Sequence, residues 1–326
     1  MAVLLFSVAI AASYLNNDGM RPSSEEPEPD RPSDNPRESR QRPDPTATLD
    51  QGPLGIYFDT ANTAKYDERD GDGIVMVRYD NSLEYNPVTI AQYALAYHAD
   101  FVKNGDPVSK ATLIQYCDWL VRHQGADGLW RYDFEFAGMA RGWYSALAEG
   151  QAISALARCY QVGGSVTYRR ASDLALSTFT RPIADGGVVD REAGYDYYEE
   201  YLPPYSRHTL NGFIYAVIGL GEYTAVFGGD TSVRLYLAGI ETLHSNIGRW
   251  DSGVWSTYNL SPRVVHGERW PGTAASPYYH GLHVKQLREL FQLTGDSVFA
   301  DTADRWAGYQ ERPPSWMASP LPSDRP

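Results

Sequence analysis

The strongest constraint on the fold is a helical hydrophobic period that begins near residue 87 and recurs in pairs. In the first segment Ile90, Tyr93, Ala94 and Tyr97 fall on one face of a helix. The same pattern predicts four helix pairs, at about 87–102 with 107–124, 143–161 with 165–179, 206–227 with 230–248, and 280–294 with 297–310. We therefore expect a mainly α chain built from stacked helical hairpins.

A related turn follows each of the first three pairs. An aspartate, then a glycine, then an apolar residue come after the second helix, in the segments 126–130, 184–188 and 250–255. Glycine can adopt the left-handed backbone that a tight reversal needs. The repeat length varies, which favours a closed (α/α) toroid of about four pairs over an open solenoid. In such a ring the loops that join successive pairs surround one concave face.

The segments outside the helical pattern differ in composition. Residues 1–15 are hydrophobic, and residues 16–53 are rich in Pro, Glu, Asp, Arg and Ser, which predicts a disordered linker. Residues 54–86 hold short apolar runs, Ile74–Val77 above all, between Asp/Gly turns and predict a small β-hairpin. Residues 312–326 are predicted to be a disordered tail, which leaves 87–311 as the toroid domain.

The apolar run Met1–Ala12 is short for a membrane span and lacks a basic flank before it. Two interpretations stay open, namely the remnant of a signal or anchor, or a stray hydrophobic terminus. The first predicts a protein that is exported, or anchored to a membrane through its N-terminus, with the helical domain outside the cytoplasm. The second predicts a soluble cytoplasmic protein.

Charge and cysteine content exclude several classes of protein. A net charge of -13 argues against nucleic-acid binding, which needs a basic surface. Cys117 and Cys159 each lie in a predicted helix and are expected to be small buried residues, with a disulfide as the alternative if the chain is exported. His280 and His283 lack a third ligand nearby, so no metal site is predicted. No Gly-rich phosphate loop, Gly-x-Ser-x-Gly elbow or Cys/His dyad occurs.

The segment 195–220 is dense in tyrosine and carboxylate and feeds an apolar helix. Pro203 and Pro204 interrupt regular structure, so Tyr195 to Tyr201 are predicted to form a constrained loop at a helix entrance. Such loops often carry chemistry, although a tyrosine-rich loop packed on the neighbouring helix is the alternative. The chain also has 24 tyrosines and 8 tryptophans, which can stack on sugar rings or simply fill the interior of the ring.

Three blocks of sequence resemble the D-glucuronyl C5-epimerases, which convert D-glucuronate to L-iduronate in heparan-type chains. They are Gly142–Ser154, Tyr198-Glu199-Glu200-Tyr201 with Leu210–Tyr215, and Tyr279–His283 with Gln286-Leu287; a weaker block joins Asp118–Arg122 to Gly128. The blocks fall in order over about residues 85 to 311. The resemblance implies an (α/α) toroid catalytic domain that needs no organic cofactor, and homodimers are common in this family.

The resemblance also implies functional residues. The family's catalytic glutamate and tyrosine correspond to Glu200 and Tyr201, and two further tyrosines correspond to Tyr258 and Tyr279. Animal members have an arginine three residues after the first of these further tyrosines, where this chain has Ser261. The candidates for substrate binding are therefore Arg263, Arg141 and Arg269 for the carboxylate, with Tyr144, Gln151, Asn211, Tyr215 and His280 from the matching blocks.

These residue types suit inversion of C5 in a uronate. Acid-base groups must flank the ring, and tyrosine and glutamate both serve. The substrate carboxylate must be neutralised as an enolate-like intermediate forms, which an arginine can do. The expected partner is a glucuronate-containing polysaccharide. A polysaccharide lyase, which begins with the same proton abstraction, and a non-catalytic carbohydrate-binding protein remain alternatives. A glycosidase is disfavoured because Glu199 and Glu200, adjacent in the chain, cannot flank a glycosidic bond.

Overall fold

A computed structural model of the chain describes residues 43–47, 49, 54, 66–202, 207–261, 263–265, 268–270 and 272–314. Eight α-helices lie within these residues and form four consecutive hairpins, as predicted. They are α1 Pro87–Asn104, α2 Pro107–His123, α3 Ala146–Gly163, α4 Val166–Thr178, α5 Leu210–Phe227, α6 Asp230–Asn246, α7 Pro277–Thr294 and α8 Ser297–Glu311.

The helices form two layers. The first helices of the hairpins, α1, α3, α5 and α7, pack side by side in chain order, and each second helix packs on the outside of its partner. Burial explains this division, because α3 is buried continuously from Ala146 to Cys159 whereas α2, α4, α6 and α8 bury one face each. Helix α5 is long and apolar enough to span a membrane, but 78% of it is buried inside the protein. The fold is the predicted (α/α) toroid.

Helices α3 and α5 approach each other unusually closely at two glycines. A Cβ added to Gly219 would lie 2.2 Å from the carbonyl oxygen of Gly150, and one added to Gly150 would lie 2.5 Å from Cα of Ala216. Both distances are far below normal contact, so only glycine fits at these positions. The backbones of α3 and α5 are therefore in direct contact at this crossing.

Capping residues correct the predicted helix starts. Ser145 accepts a hydrogen bond from the Leu147 amide, so α3 begins at Ala146 and not at 143. Ser276 accepts from the Tyr279 amide and a proline opens the helix, so α7 begins at Pro277 instead of 280. Helix α5 begins at Leu210, four residues after the predicted start. The predicted glycine turns are confirmed, since φ is +92°, +74° and +86° at Gly128, Gly186 and Gly253.

Three antiparallel hairpins accompany the helices in the part of the chain that the structure describes. The predicted N-terminal hairpin is present as β1 Val77–Tyr79 and β2 Ser82–Glu84, just after the apolar run that was expected to pair. The second, β3 Val189–Glu192 with β4 Tyr195–Tyr198, corrects the loop predicted for Tyr195 to Tyr201. Its turn uses left-handed Ala193 and Gly194. The third is β5 Arg263–Val265 with β6 Glu268–Trp270.

Two expectations about individual segments are wrong. Cys117 of α2 and Cys159 of α3 form a disulfide, because packing of the two helices brings their Cα atoms to 6.6 Å. Part of the predicted linker is ordered, because Leu49 is buried and the Pro45 carbonyl accepts a hydrogen bond from the Tyr236 hydroxyl. The hydrophobic segment 1–15 and most of the predicted tail lie outside the described residues.

Candidate active site

Three of the four predicted catalytic residues come from segments that link one helix hairpin to the next, and the fourth lies at the start of a helix. Glu200 and Tyr201 directly follow β4, Tyr258 lies between α6 and β5, and Tyr279 is in the first turn of α7. Backbone hydrogen bonds tie these links to the starts of inner helices. The Leu210 amide donates to the Tyr258 carbonyl at 2.9 Å, and the Ala146 amide donates to the Glu199 carbonyl at 2.8 Å. The links therefore meet at the N-terminal ends of the inner helices.

The side chains of these four residues, here called the Glu200 cluster, contact one another. The Tyr258 hydroxyl donates to Glu200 Oε1 at 3.3 Å, and the hydroxyls of Tyr201 and Tyr258 are 3.4 Å apart. The ring centroids of Tyr258 and Tyr279 are 4.6 Å apart. All four residues are between 5% and 8% exposed. The structure thus brings together one carboxylate and three phenols that the sequence separates by up to 79 positions.

Burial sets the protonation of the cluster. It raises the pKa of Glu200 to about 7. The neighbouring Tyr201, Tyr258 and Asn211 favour the ionised form and partly offset this rise. Burial, followed by the charge of Glu200, raises the pKa of Tyr201 and of Tyr258 well above the usual range. Near neutral pH the phenols therefore keep their protons while the carboxyl can gain or lose one. A proton acceptor and proton donors lie in direct contact.

Glycine at position 212 lets Glu200 reach its place. A Cβ on Gly212, in the first turn of α5, would lie 2.3 Å from Oε2 and 2.6 Å from Cβ of Glu200. The Gly212 amide also favours the ionised carboxylate and lowers the pKa of Glu200. The close approach of backbone and side chain explains the glycine in the matching sequence block.

The neighbouring Glu199 anchors the segment that carries the cluster. Its fully buried carboxylate accepts hydrogen bonds from the His208 amide at 3.0 Å and from His208 Nδ1 at 2.5 Å. The other ring nitrogen of His208 is 3.2 Å from Glu192 Oε2, and the residue has a φ of +51°. Asp190, Glu199 and His208 also offer metal-ligand atoms within 4.8 Å of one another, but an ion would have to displace the Glu199–His208 hydrogen bond.

Two of the predicted substrate-binding residues lie beside the Glu200 cluster. Burial raises the pKa of Glu200, and the nearby Asn211 side chain partly offsets that rise. Burial raises the pKa of Tyr215, and the charges of Tyr278, Tyr279 and Glu200 raise it further, which places its hydroxyl within their field. Both residues lie in the first two turns of α5.

Four other predicted residues have different surroundings. Arg141 is exposed and 3.7 Å from Asp133, and Tyr144 packs under the Arg131 guanidinium. His280 Nδ1 is 2.8 Å from the Ser256 hydroxyl and its Nε2 is 2.8 Å from the Trp306 carbonyl, so both ring nitrogens already have protein partners and the residue ties α7 to α8. Gln151 is buried in α3.

Arg263 and Arg269 lie on the third hairpin, between Tyr258 and Tyr279 in the chain. The strand register pairs Arg263 with Trp270 and Arg269 with Val264, so the two arginines belong to neighbouring residue pairs on opposite strands. Their backbone is described, and it places both on the link that enters α7.

Tyr132 was missed by sequence reasoning. It is buried, stacks on Trp143 with ring centroids 3.6 Å apart, and has a pKa well above the usual range because of burial and the nearby charges of Tyr79, Glu200 and Glu149. It belongs to a set of aromatic side chains that packs around the Glu200 cluster, here called the aromatic wall: Tyr132, Phe134, Phe136, Trp143 and Trp255. The alternation Trp130, Tyr132, Phe134, Phe136 was the available signal, since a period of two indicates one buried face.

Comparison with known proteins identifies a family for this chain. Residues 124–308, more than half of the chain, match the family described as D-glucuronyl C5-epimerase C-terminus. The chain belongs to this family. The matched region contains all four residues of the Glu200 cluster and the two link segments that hold them.

Two relatives cover part of their own length. A D-glucuronyl C5-epimerase of Caenorhabditis elegans is 32% identical in an alignment of 213 residues, and the match covers 59% of this chain and 34% of the nematode protein. An uncharacterized protein of Methanocaldococcus jannaschii is 27% identical over 184 residues, which are 55% of this chain and 56% of the archaeal protein. The chain therefore spans about a third and about half of the length of these relatives.

A solved structure shares the fold. The unsaturated glucuronyl hydrolase of Bacillus sp. GL1, described as responsible for glycosaminoglycan degradation, superposes with a TM-score of 0.50 at 15% identity. The match covers 68% of this chain and 61% of the hydrolase. At this identity the likeness supports the helical toroid alone.

Proposed function

We propose that this protein epimerises D-glucuronate residues at C5 within a polysaccharide and so produces L-iduronate. The observation that carries the proposal is the contact of buried Glu200 with Tyr258, itself within 3.4 Å of Tyr201. This arrangement supplies what the reaction needs, a base that is ionised near neutral pH and phenols that hold their protons. Family membership supports the same reaction.

In the proposed mechanism the Glu200 carboxylate takes the proton from C5. The C5–H bond breaks, its electrons move into an enolate-like intermediate that extends onto the substrate carboxylate, and Glu200 becomes protonated. A phenol of Tyr201, Tyr258 or Tyr279 then delivers a proton to the opposite face of C5. Before the next turnover Glu200 releases its proton to water and the phenolate takes one up from water, while the contacts from Glu200 through Tyr258 to Tyr201 keep the base and the phenols together.

The substrate carboxylate needs positive potential. The N-terminal ends of α3, α5 and α7 meet at the Glu200 cluster, and helix N-termini favour anions. We propose that an arginine of the third hairpin, Arg263 or Arg269, adds a full charge there. Arg263→Gln and Arg269→Gln, compared side by side, identify which one raises KM for the polymer when it is lost.

The test uses a D-glucuronate polymer incubated with the protein in deuterated water. Proton and carbon NMR should show deuterium at C5 and the appearance of iduronate. A product with a C4–C5 double bond would assign a lyase instead, because expulsion of the C4 substituent follows the same proton abstraction. Binding without either change would leave only a carbohydrate-binding role. No deuterium at C5 and no iduronate would refute the proposal.

The surroundings of the protein are part of the proposal. We propose a location outside the cytoplasm, which the Cys117–Cys159 disulfide supports because such bonds persist in oxidising compartments. Labelling of free thiols in protein taken from its native cells tests this, and two reactive cysteines would contradict it. We also propose a homodimer, as is common in the family, which light scattering of the purified protein tests.

A further inference from the structure

The Glu200 cluster lies at the N-terminal ends of the inner helices, and this end of the ring is here called the mouth. Polar side chains follow one face of each of two inner helices away from the mouth. In α3, Gln151, Ser154 and Arg158 recur at spacings of three and four residues, which is one face of a helix. In α7, Tyr279, Gln286 and Glu289 are spaced by seven and three residues and likewise lie on one face of the helix. Tyr279 belongs to the Glu200 cluster, so the face of α7 that carries it points into the ring.

Contacts between the helices show that these faces meet. Gln286 Nε2 donates to the Asn211 carbonyl at 2.9 Å, which joins α7 to α5. Arg158 of α3 makes two hydrogen bonds of 2.7 Å with Glu222 of α5. Asn211 and Glu222 are eleven residues apart on α5, a rise of about 16 Å at 1.5 Å per residue. The polar faces therefore extend from the Glu200 cluster to the other end of the inner layer.

Several polar atoms along this line have no hydrogen-bond partner among the described residues. Each belongs to a side chain that is at most 4% exposed: Gln151 Oε1 and Nε2, Ser154 Oγ, Asn211 Oδ1, Gln286 Oε1 and His98 Nδ1. Leaving one such group dry costs on the order of 1 to 3 kcal/mol. Six along one line would oppose folding strongly, whereas ordered water can satisfy each of them.

The far end of the line is charged and reaches solvent. Arg158 is buried, while the Glu222 side chain that pairs with it is 13% exposed. Glu289 of α7 is only partly buried, and its pKa is raised by burial and by the charge of Glu222. Burial lowers the pKa of His98 of α1, and the nearby Arg158 charge lowers it further. All four inner helices thus contribute one titratable or charged group at this end.

We propose that the inner helices enclose a water-filled polar channel that carries protons between Glu200 and solvent at the end of the ring opposite the mouth. A proton leaving the Glu200 carboxyl passes to the adjacent water, each water hands one proton to the next, and one proton leaves near Glu222 and Glu289. Glu200 is left ionised, and the reverse transfer protonates it. The role of the channel in turnover rests on the proposed epimerisation, during which a polymer covers the mouth. The presence of water in the channel does not depend on that reaction.

The first experiment tests for water. A crystal structure at high resolution should show ordered waters within hydrogen-bond distance of Gln151, Ser154 and Gln286. Gln151→Leu should lower Tm by about 3 to 6 °C, because waters lose their partner. If the channel is dry, the same change removes an unpaired buried amide and should raise Tm. A dry channel or a raised Tm overturns the proposal.

The second experiment tests proton transfer with Ser154→Val, which replaces a hydroxyl of the channel with methyl groups. We expect kcat for C5 epimerisation to fall at least tenfold with KM unchanged, since no substrate contact is lost. Thr224→Val is the matched control, because the Thr224 hydroxyl is buried on α5 but already bonded to the Leu220 carbonyl. An unchanged kcat in a folded Ser154→Val protein overturns the proton role. Absence of turnover in the wild type refutes the proposed function instead, and the water experiment still decides the channel.

Discussion

Replacement of Gly212 by alanine sets two physical effects against each other. Alanine is a better helix former than glycine by roughly 0.5 to 1 kcal/mol, so propensity alone predicts a slightly more stable α5. The added Cβ, however, would lie 2.3 Å from Oε2 and 2.6 Å from Cβ of Glu200. The second contact cannot be relieved by rotation of the carboxylate alone.

The size of the displacement follows from these distances. Restoring contacts of about 3.4 Å requires Glu200 to move by about 1 Å relative to α5. Glu200 is held from the other side by Tyr258 at 3.3 Å and by its own buried backbone. Misplacement of a reacting group by about 1 Å can lower a rate on the order of a hundredfold, which corresponds to about 2.7 kcal/mol in the activation barrier. We therefore expect Gly212→Ala to lose about two orders of magnitude in kcat.

The assay is deuterium incorporation at C5 of a D-glucuronate polymer, with Tm measured on the same preparations. Gly308→Ala is the matched control, because Gly308 is also inside a helix but a Cβ there meets nothing within 4 Å. The control should keep full activity and gain a little stability. A Gly212→Ala protein that is as active as the control would show that Glu200 does not need its observed position.

Three further predictions concern protonation and the disulfide. The pKa of Glu200 is about 7 in the folded protein against a usual 4.5, so the native state binds more protons between these values and stability falls as pH rises from about 4.5 to 7. Glu200→Gln should remove that decline, leaving a protein without turnover that is up to about 3 kcal/mol more stable in urea unfolding at pH 8 and no more stable at pH 4. Tyr258→Phe removes a hydrogen bond to the ionised carboxylate, so the acidic limb of the kcat/KM pH profile should move to higher pH and kcat should fall on the order of a hundredfold or more; an unmoved limb would separate Glu200 from the profile. Replacement of Cys117 and Cys159 by serine opens a loop with a sequence separation of 42 and should cost about 4 kcal/mol in calorimetry, with no loss if the thiols are free in solution.

Helix pairing was predictable because the apolar period of each segment is a local property. The glycine turns were predictable for the same reason, as their left-handed backbones at Gly128, Gly186 and Gly253 show. Two helix starts were missed by three residues each, and there the deciding contact is a cap, Ser145 or Ser276. A cap is one hydrogen bond, and the surrounding apolar pattern does not mark it.

The site was predictable only through a matching motif. The Glu-Glu-Tyr block does not indicate which glutamate faces the cluster, and the structure separates their roles. Glu199 is held by His208, which is nine residues away, and Glu200 by Tyr258, which is 58 residues away. Tyr132 joins the aromatic wall by packing against Trp143, a contact that depends on how the link between α2 and α3 folds back. Contacts between separate links cannot be derived from local periodicity.

The burial of Glu200 connects the stability of the fold with its chemistry. Burial alone raises the pKa of Glu200 to about 7, because the neighbouring tyrosines and the Gly212 amide favour the ionised carboxylate and lower it. Burial in the inner layer also leaves polar atoms of Asn211, Gln151 and Gln286 without partners among the described residues. A dry interior would give the Glu200 carboxyl no route for exchanging protons, and it would leave these buried amides without hydrogen bonds. Water inside the ring would provide the proton route and the missing hydrogen bonds. Gln151→Leu and Glu200→Gln should therefore have opposite effects on stability at pH 8, where the first lowers it and the second raises it.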